Sequence, residues 1–324
     1  MASGLGQEAY VGFGEESIFA DLVARSKFLK INSESIEENE EQVVLDSLYE
    51  DSRHEDDVIQ GKRMAQGSFE FFNRWEGAEL LFKHLFGSVS SSQPDSTNDP
   101  DVWQHIFTLA TALPIGLSFE INRDTGCLLI AGCKIKNMRF ALNNRGGLVI
   151  TPEIIGADAT YSSKSSESFT ETKIITYKDA EANFIYFNNA RVKVNSFEMS
   201  IAYDLDDDWV PFPDREMEEP VKKGNRIISG SFVAEFDTVS RRTDFLNAQS
   251  RALRVKFEGA VITGGSDAFK QTFQLDCPAI KLNPYSNSVS AKGRILEKIS
   301  FNAFKQDDSN KEVKLTLINT VTSV

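Results

Sequence analysis

The amino-acid sequence predicts a mainly β protein built from two tandem β-barrel or β-sandwich domains, each with one flanking α-helix. Three observations carry this expectation. Phe occurs 24 times against 5 Met, a bias that suits sheet cores. Short runs alternate apolar and polar residues along much of the chain, which is the period of a half-buried strand. Three motifs also recur in register. Lys30-Ile31-Asn32-Ser33 returns as Lys193-Val194-Asn195-Ser196, Gly61-Lys62-Arg63 as Gly224-Asn225-Arg226, and Gly67-Ser68-Phe69 as Gly230-Ser231-Phe232. Each pair is separated by 163 residues (193 − 30, 224 − 61, 230 − 67). One such match arises by chance, whereas three at one offset mark a duplicated domain.

Length points the same way, since 324 residues suit about two domains of roughly 150 residues each. The expected division is a first domain over residues 1–157, a linker over 158–190 and a second domain over 191–324. The positions that mark the repeat are Asn32, Ser33, Gly67, Phe69 and Trp75 in the first copy and Asn195, Ser196, Gly230 and Phe232 in the second.

Taken in order, the first distinctive stretch is acidic, from Glu34 to Asp57, and it reads either as a solvated loop or as an arm that docks on a basic surface. Asn73, with Glu76 three residues on, reads as a helix cap. Trp75, Ala78, Leu81, Phe82, Leu85 and Phe86 then recur at helical spacing, and Gly87 ends the helix. Residues 88–101 are polar, with two prolines, and are expected as a loop that the second copy lacks. Strands are expected around Leu117–Ile121, over GCLLIAGCKIKNMRFAL and over GLVITPEIIG, with a turn at Asn143–Gly147. The Ser- and Thr-rich residues 159–172 open the linker.

In the second copy Val192 and Val194 alternate in one phase, while Phe197, Met199, Ile201 and Tyr203 alternate in the other. A bulge at Asn195-Ser196 explains the slip. A shorter helix follows Asp237-Thr238, and strands are expected around Leu253–Phe257 and over DAFKQTFQLDC, RILEKISFNAF and EVKLTLINT.

No chemistry stands out. His54, His84 and His105 have no Cys or His neighbours at metal-ligand spacing. No phosphate-cradling loop and no nucleophile elbow occur. Asp204–Asp208 lacks the glycine and closing glutamate of a calcium loop and reads as an acidic turn. Cys127, Cys133 and Cys277 lie in strand-like contexts and read as buried free thiols. No catalytic residue, metal or cofactor is expected, and the protein is not read as an enzyme. The net charge of −13 argues against a protein that grips nucleic acid by its phosphates. It does not argue against a surface that nucleic acid slides past. No membrane span or secretory leader is visible.

Several segments in succession are similar to one family. YVGFGEES leads into FLKINSES, then GSFEFFNRWEGAELLFKHLFGS, LPIGLSFEI, GCKIKNMRFAL, RGGLVITPEIIGAD and finally VKLTLINT. This order resembles the tail tube (major tail) proteins of long-tailed bacteriophages, in a two-domain form. The resemblance implies a structural virion protein that self-assembles into stacked rings, forming a hollow tail tube through which DNA is delivered without specific binding. It implies a tape measure protein in the lumen, tail terminator and tail-tip proteins as partners, and a virion location reached through the host cytoplasm. Two domains per chain suggest trimeric, pseudo-sixfold rings. A tube protein of a contractile injection or secretion system, or a β-sandwich binding module, is the alternative. The residues expected at stacking or inter-subunit contacts are Glu37, Glu38, Glu40, Glu41, Asp56 and Asp57 on the acidic side. On the basic side they are Arg241, Arg242, Arg251, Arg254 and Lys256.

Overall fold

The computed structural model describes residues 6–45, 57–143, 145–188, 190–262, 269–284, 294–307 and 311–324. The first half opens with Tyr10–Glu16 (β1), antiparallel to Lys27–Lys30 (β2). Ser33–Glu34 (β3) and Glu37–Leu45 (β4) both pair with one long strand, Asp57–Phe72 (β5). The acidic stretch is therefore not a loop where it is described: from Glu37 to Leu45 it is one arm of a hairpin. Val43 and Val44 favour that conformation, and charged side chains are at ease on an outer strand.

A helix covers Glu79–Phe86 (α1) and ends at Gly87, whose φ of 89° is the left-handed cap expected of a glycine. Its start differs from the expectation at Asn73. The Asn73 backbone is drawn into the sheet, donating to Leu148 O and accepting from Ile175 N. The helix has no side-chain cap; Glu79, its first residue, accepts the Gly77 N–H at 2.8 Å just ahead of it. The polar loop expected from residue 88 also begins as a strand, Gly87–Ser92 (β6), paired with Trp103–Leu109 (β7).

Gly116–Asn122 (β8), Cys127–Asn143 (β9), Leu148–Gly156 (β10) and Asp158–Ser162 (β11) complete this half. β9 serves two sheets. Its first part pairs with β8 and β11, its second with β10. One sheet therefore runs β2-β1-β8-β9-β11 and the other β4-β5-β10-β9. Phe13, Phe69 and Phe119 fill the space between them, with Phe119 5.8 Å from each of the other two rings. This is a sandwich-like pair of antiparallel sheets and not a closed barrel.

The stretch expected as a linker carries β11 at one end and Ala180–Phe187 (β12) at the other. Between them the chain is fastened to the first half. Glu120 accepts from both N and Oγ of Ser165 (2.9 and 2.6 Å), and the Arg74 guanidinium donates to Thr172 O.

The second half repeats the order. Ala190–Val192 (β13) and Val194–Ala202 (β14) come first, then a short pair, Leu205–Asp206 (β15) with Val221–Lys222 (β16). Ile227–Glu235 (β17) and the helix Ser240–Leu246 (α2) follow. Arg251–Val261 (β18), Lys270–Leu282 (β19), Leu296–Ala303 (β20) and Lys314–Asn319 (β21) end the chain. The sheets are β13-β12-β18-β19-β21 and β14-β17-β20-β19. The pairing of β14 slips between Val194 and Ser196, at the expected bulge.

The motif positions explain themselves in three dimensions. Glu34 lies opposite Phe69, and Phe197 opposite Phe232; both shifts equal 163 (197 − 34, 232 − 69). The repeated glycine admits the neighbouring strand's backbone. A Cβ on Gly67 would stand 2.3 Å from Ser35 O, and one on Gly230 would stand 2.6 Å from Glu198 O, which is again 163 residues on. Phe69 and Phe232 are core residues. The repeated arginine reaches a carboxylate at one place in each half: Arg63 meets Asp158 at the head of β11 (3.2 Å), and Arg226 meets Glu312 just ahead of β21 (3.0 Å).

Candidate assembly interface

The two halves meet through the edges of their sheets. The second part of β9 has a free side in the first half, and β14 occupies it, with register from Asn137↔Ala202 to Asn143↔Ser196. Met138, Phe140 and Leu142 on one strand and Phe197, Met199 and Ile201 on the other are all buried. Arg139 and Glu198 pair across the outer face at 2.7 Å. On the opposite side β7 of the first half pairs with β21 of the second, from Trp103↔Asn319 to Thr108↔Lys314.

Aromatic packing closes the space between these seams. Phe82 of α1 lies 6.1 Å from Phe107, 6.2 Å from Phe140 and 6.0 Å from Phe273 of the second half. Asn319 donates to Glu79 Oε1 at 2.8 Å, and burial raises the Glu79 carboxyl above its ordinary value. Trp75 sits against the backbone at Gly259 of β18, so close that a Cβ there would be 2.6 Å from the indole. Tyr203, just past β14, donates its hydroxyl to Leu85 O at 2.7 Å.

A third set of contacts comes from residues 203–226, which carry β15 and β16 and cross the end of the first-half sheet. Lys62 donates to Asp207 O at 2.5 Å, Lys136 reaches the Asp207 carboxylate at 3.4 Å, and Lys134 reaches Glu219 at 2.6 Å. Burial lowers the Lys134 ammonium below its ordinary value, and Glu219 opposes that shift. Arg215 donates to Gly61 O at 3.0 Å and to the Glu40 carboxylate.

The residues expected at contacts are placed as follows. Glu37 and Glu41 are exposed on β4, Glu38 is held by Arg63 at 2.6 Å, and Glu40 by Arg215. Asp57 opens β5 and accepts the Val58 N–H; Asp56 lies outside the described residues. Arg241 is buried, bound to Glu297 and to Asp237, and Arg242 is exposed on α2. Arg251 pairs with Asp244, Arg254 with Asp276 and Lys256 with Glu258. The structure thus does not gather the acidic and basic sets; it spends most of the basic set inside the second half.

Sequence reasoning missed Arg215 and Lys222. A groove of about 760 Å³ at the end of the second-half sheet is lined by Lys222, Asn225, Arg226, Ile227, Phe304 and Lys305, among others. The only signal for it was the Gly-x-Arg repeat at residues 224–226. Burial pushes the Lys222 ammonium down to about 8, helped by Arg226 and Lys311.

Among the described residues, no group of three or more His, Cys, Asp or Glu side chains stands where it could hold a metal ion. No described helix is long and apolar enough to cross a membrane. Cys127, Cys133 and Cys277 are free and buried. Residues 6–303 match a family model described as phage tail tube protein. Comparison with curated proteins gave no match.

Proposed function

The chain belongs to the phage tail tube protein family, and from that premise we propose that it closes into rings of three chains that stack into the hollow tube of a phage tail. It is a structural component of that tail. One observation carries the ring reading: the β9–β14 seam already joins two like sheets edge to edge inside one chain. A heterologous contact of this kind generates a ring when its rotation closes. The chain supplies one such junction and leaves the matching edges, β3–β4 at one end and the end of β19 at the other, for its neighbours.

Two like halves per chain turn three chains into a pseudo-sixfold ring. DNA passes through the bore without specific binding, and the acidic balance of the chain, −13 overall, keeps phosphates from adhering. The tape measure protein fills the same bore before DNA does, and terminator and tip proteins cap the ends. Cryo-electron microscopy of tubes assembled from purified protein tests the stoichiometry. Three chains per ring with a seam in each is the expected image, and six chains per ring refutes the reading.

A further inference from the structure

We propose that the groove at the end of the second-half sheet is an anion site that takes a short chain of phosphate groups. The inference goes beyond the ring reading and does not depend on it. The site begins where β7 ends, beside the C-terminus of α1, since Ala110 donates its N–H to Phe86 O at 2.7 Å. Three consecutive carbonyls there each meet a cation of the second half. Lys222 donates to Ala110 O and Thr111 O at 3.0 and 3.1 Å, Arg226 to Ala110 O at 3.4 Å, and Lys311 to Leu109 O at 2.5 Å. The Lys222 ammonium also lies 4.5 Å from the centre of the Tyr203 ring.

Carbonyl dipoles and a helix C-terminus hold cations in place, but they cancel no net charge. Elsewhere in the second half cations meet carboxylates, as Arg254 meets Asp276 and Lys256 meets Glu258. Here one carboxylate lines the groove, Glu312, and both of its oxygens are taken by Arg226. Asp204 stands beside Gly224 and is not part of the lining. Among the described residues, no carboxylate comes within ion-pair distance of Lys222 or Lys311. The excess is felt at Lys222: burial first, and then Arg226, Lys311 and Lys134, push its ammonium down to about 8 against Glu312 alone. A bound anion relieves that repulsion.

The space in front of these groups, about 760 Å³, is far more than a halide fills. Lys305, just past β20, also lines it, and Thr111 and Asn225 add neutral polar groups. A string of phosphates presents several negative charges in a row, with an oxygen for each donor, and lysine meets phosphate well as a point charge. Phe304, exposed beside Lys305, offers a face on which a base can stack. Inorganic tripolyphosphate and the tail of a nucleoside triphosphate both carry the chemistry that the groove recognises.

Two measurements on the full chain test the site. In calorimetric titrations tripolyphosphate should bind, and K222M should weaken binding about tenfold or more, while K222R keeps it. Lysine acetylation at about pH 8, where Lys222 offers free amine, needs no substitution and so decides the matter if K222M fails to fold. Tripolyphosphate at about ten times its dissociation constant should slow modification of Lys222 roughly tenfold and leave the exposed Lys178 unchanged. Equal affinities for tripolyphosphate and ATP assign the site to the phosphate chain alone; tighter binding of ATP adds the base on Phe304. A wild-type chain that binds neither ligand, or a K222M chain that binds as wild type does, overturns the site. So does sodium chloride of equal ionic strength that protects Lys222 as well as tripolyphosphate does. The ring reading stands in each of these cases.

Discussion

Replacing Gly67 by alanine tests whether the repeated glycines are kept for the carbonyl that faces them. The added Cβ would stand 2.3 Å from Ser35 O and 2.6 Å from Ile36 Cα. Both are backbone atoms of the link between β3 and β4, so neither can swing away as a side chain can. Gly67 also has a φ of +151°, a backbone conformation that L side chains rarely adopt. Overpacking costs about 1–3 kcal/mol and a sparsely populated backbone conformation a further ~1–3 kcal/mol, so G67A should lose about 2–6 kcal/mol. In G230A the Cβ meets Glu198 O at 2.6 Å and Phe301 Cζ at 2.5 Å. There one obstacle is a buried ring, and the cost should be about 1–3 kcal/mol. The control is G126A, where the nearest atom is Tyr161 Cδ1 at 3.7 Å; it should be neutral or stabilising by up to about 1 kcal/mol. Urea unfolding followed by tryptophan fluorescence gives the three values. If G67A unfolds within about 0.5 kcal/mol of G126A, an ordinary surface effect, the close-approach reasoning is wrong.

The remaining predictions concern charge. Arg226 holds Glu312 with two hydrogen bonds, 3.1 and 3.0 Å, so R226M should lower stability by about 1–3 kcal/mol. R226K should fall between, since an ammonium cannot match the fork; urea midpoints equal to wild type for R226M would count against the pair. Acid stability should fall in two steps. Burial holds His84 neutral, below its ordinary 6.5, so the unfolded chain takes up a proton that the folded chain refuses, and stability declines as pH falls below 6.5. The hydrogen bond from His84, reinforced by Lys83, lowers Glu15 to about 2 from an ordinary 4.5; that contribution is complete above 4.5 and is lost as pH falls towards 2. H84Q keeps a donor and cannot titrate, so it should flatten the upper step alone. Identical slopes for H84Q and wild type between about pH 7 and pH 5 would remove His84 from the account.

Much of the fold was legible in the residues because local rules and tertiary structure agree there. Gly87 ends its helix where expected, since an αL cap admits glycine most readily. β20 and the middle of β19 alternate visibly because each buries one face. The bulge in β14 showed itself as a phase slip. The acidic hairpin was not legible as strand, for a physical reason: Glu37–Leu45 buries neither face within the chain, so it carries no alternation. Asn73 and Glu76 have the residue types of a helix start, but Leu148 and Ile175 claim the Asn73 backbone first. The seams were hidden more deeply. Nothing in Asn137–Asn143 says that its partner lies beyond residue 190, because the pattern of a strand records which face is buried and not which neighbour buries it. For the same reason the basic groove, assembled from β16, β17 and the end of β20, left only the short Gly-x-Arg trace.

The β7–β21 seam has a consequence in time. Trp103 finds its partner in Asn319, so a strand made early in synthesis waits for one made more than two hundred residues later. Until then β7 offers an open edge, and the core around Phe82 lacks Phe273. Such distant pairings fold slowly and leave strand edges available to the wrong partner in the interval. A growing chain therefore carries its own delay, and its sheet cannot be completed before the last strand has emerged from the ribosome.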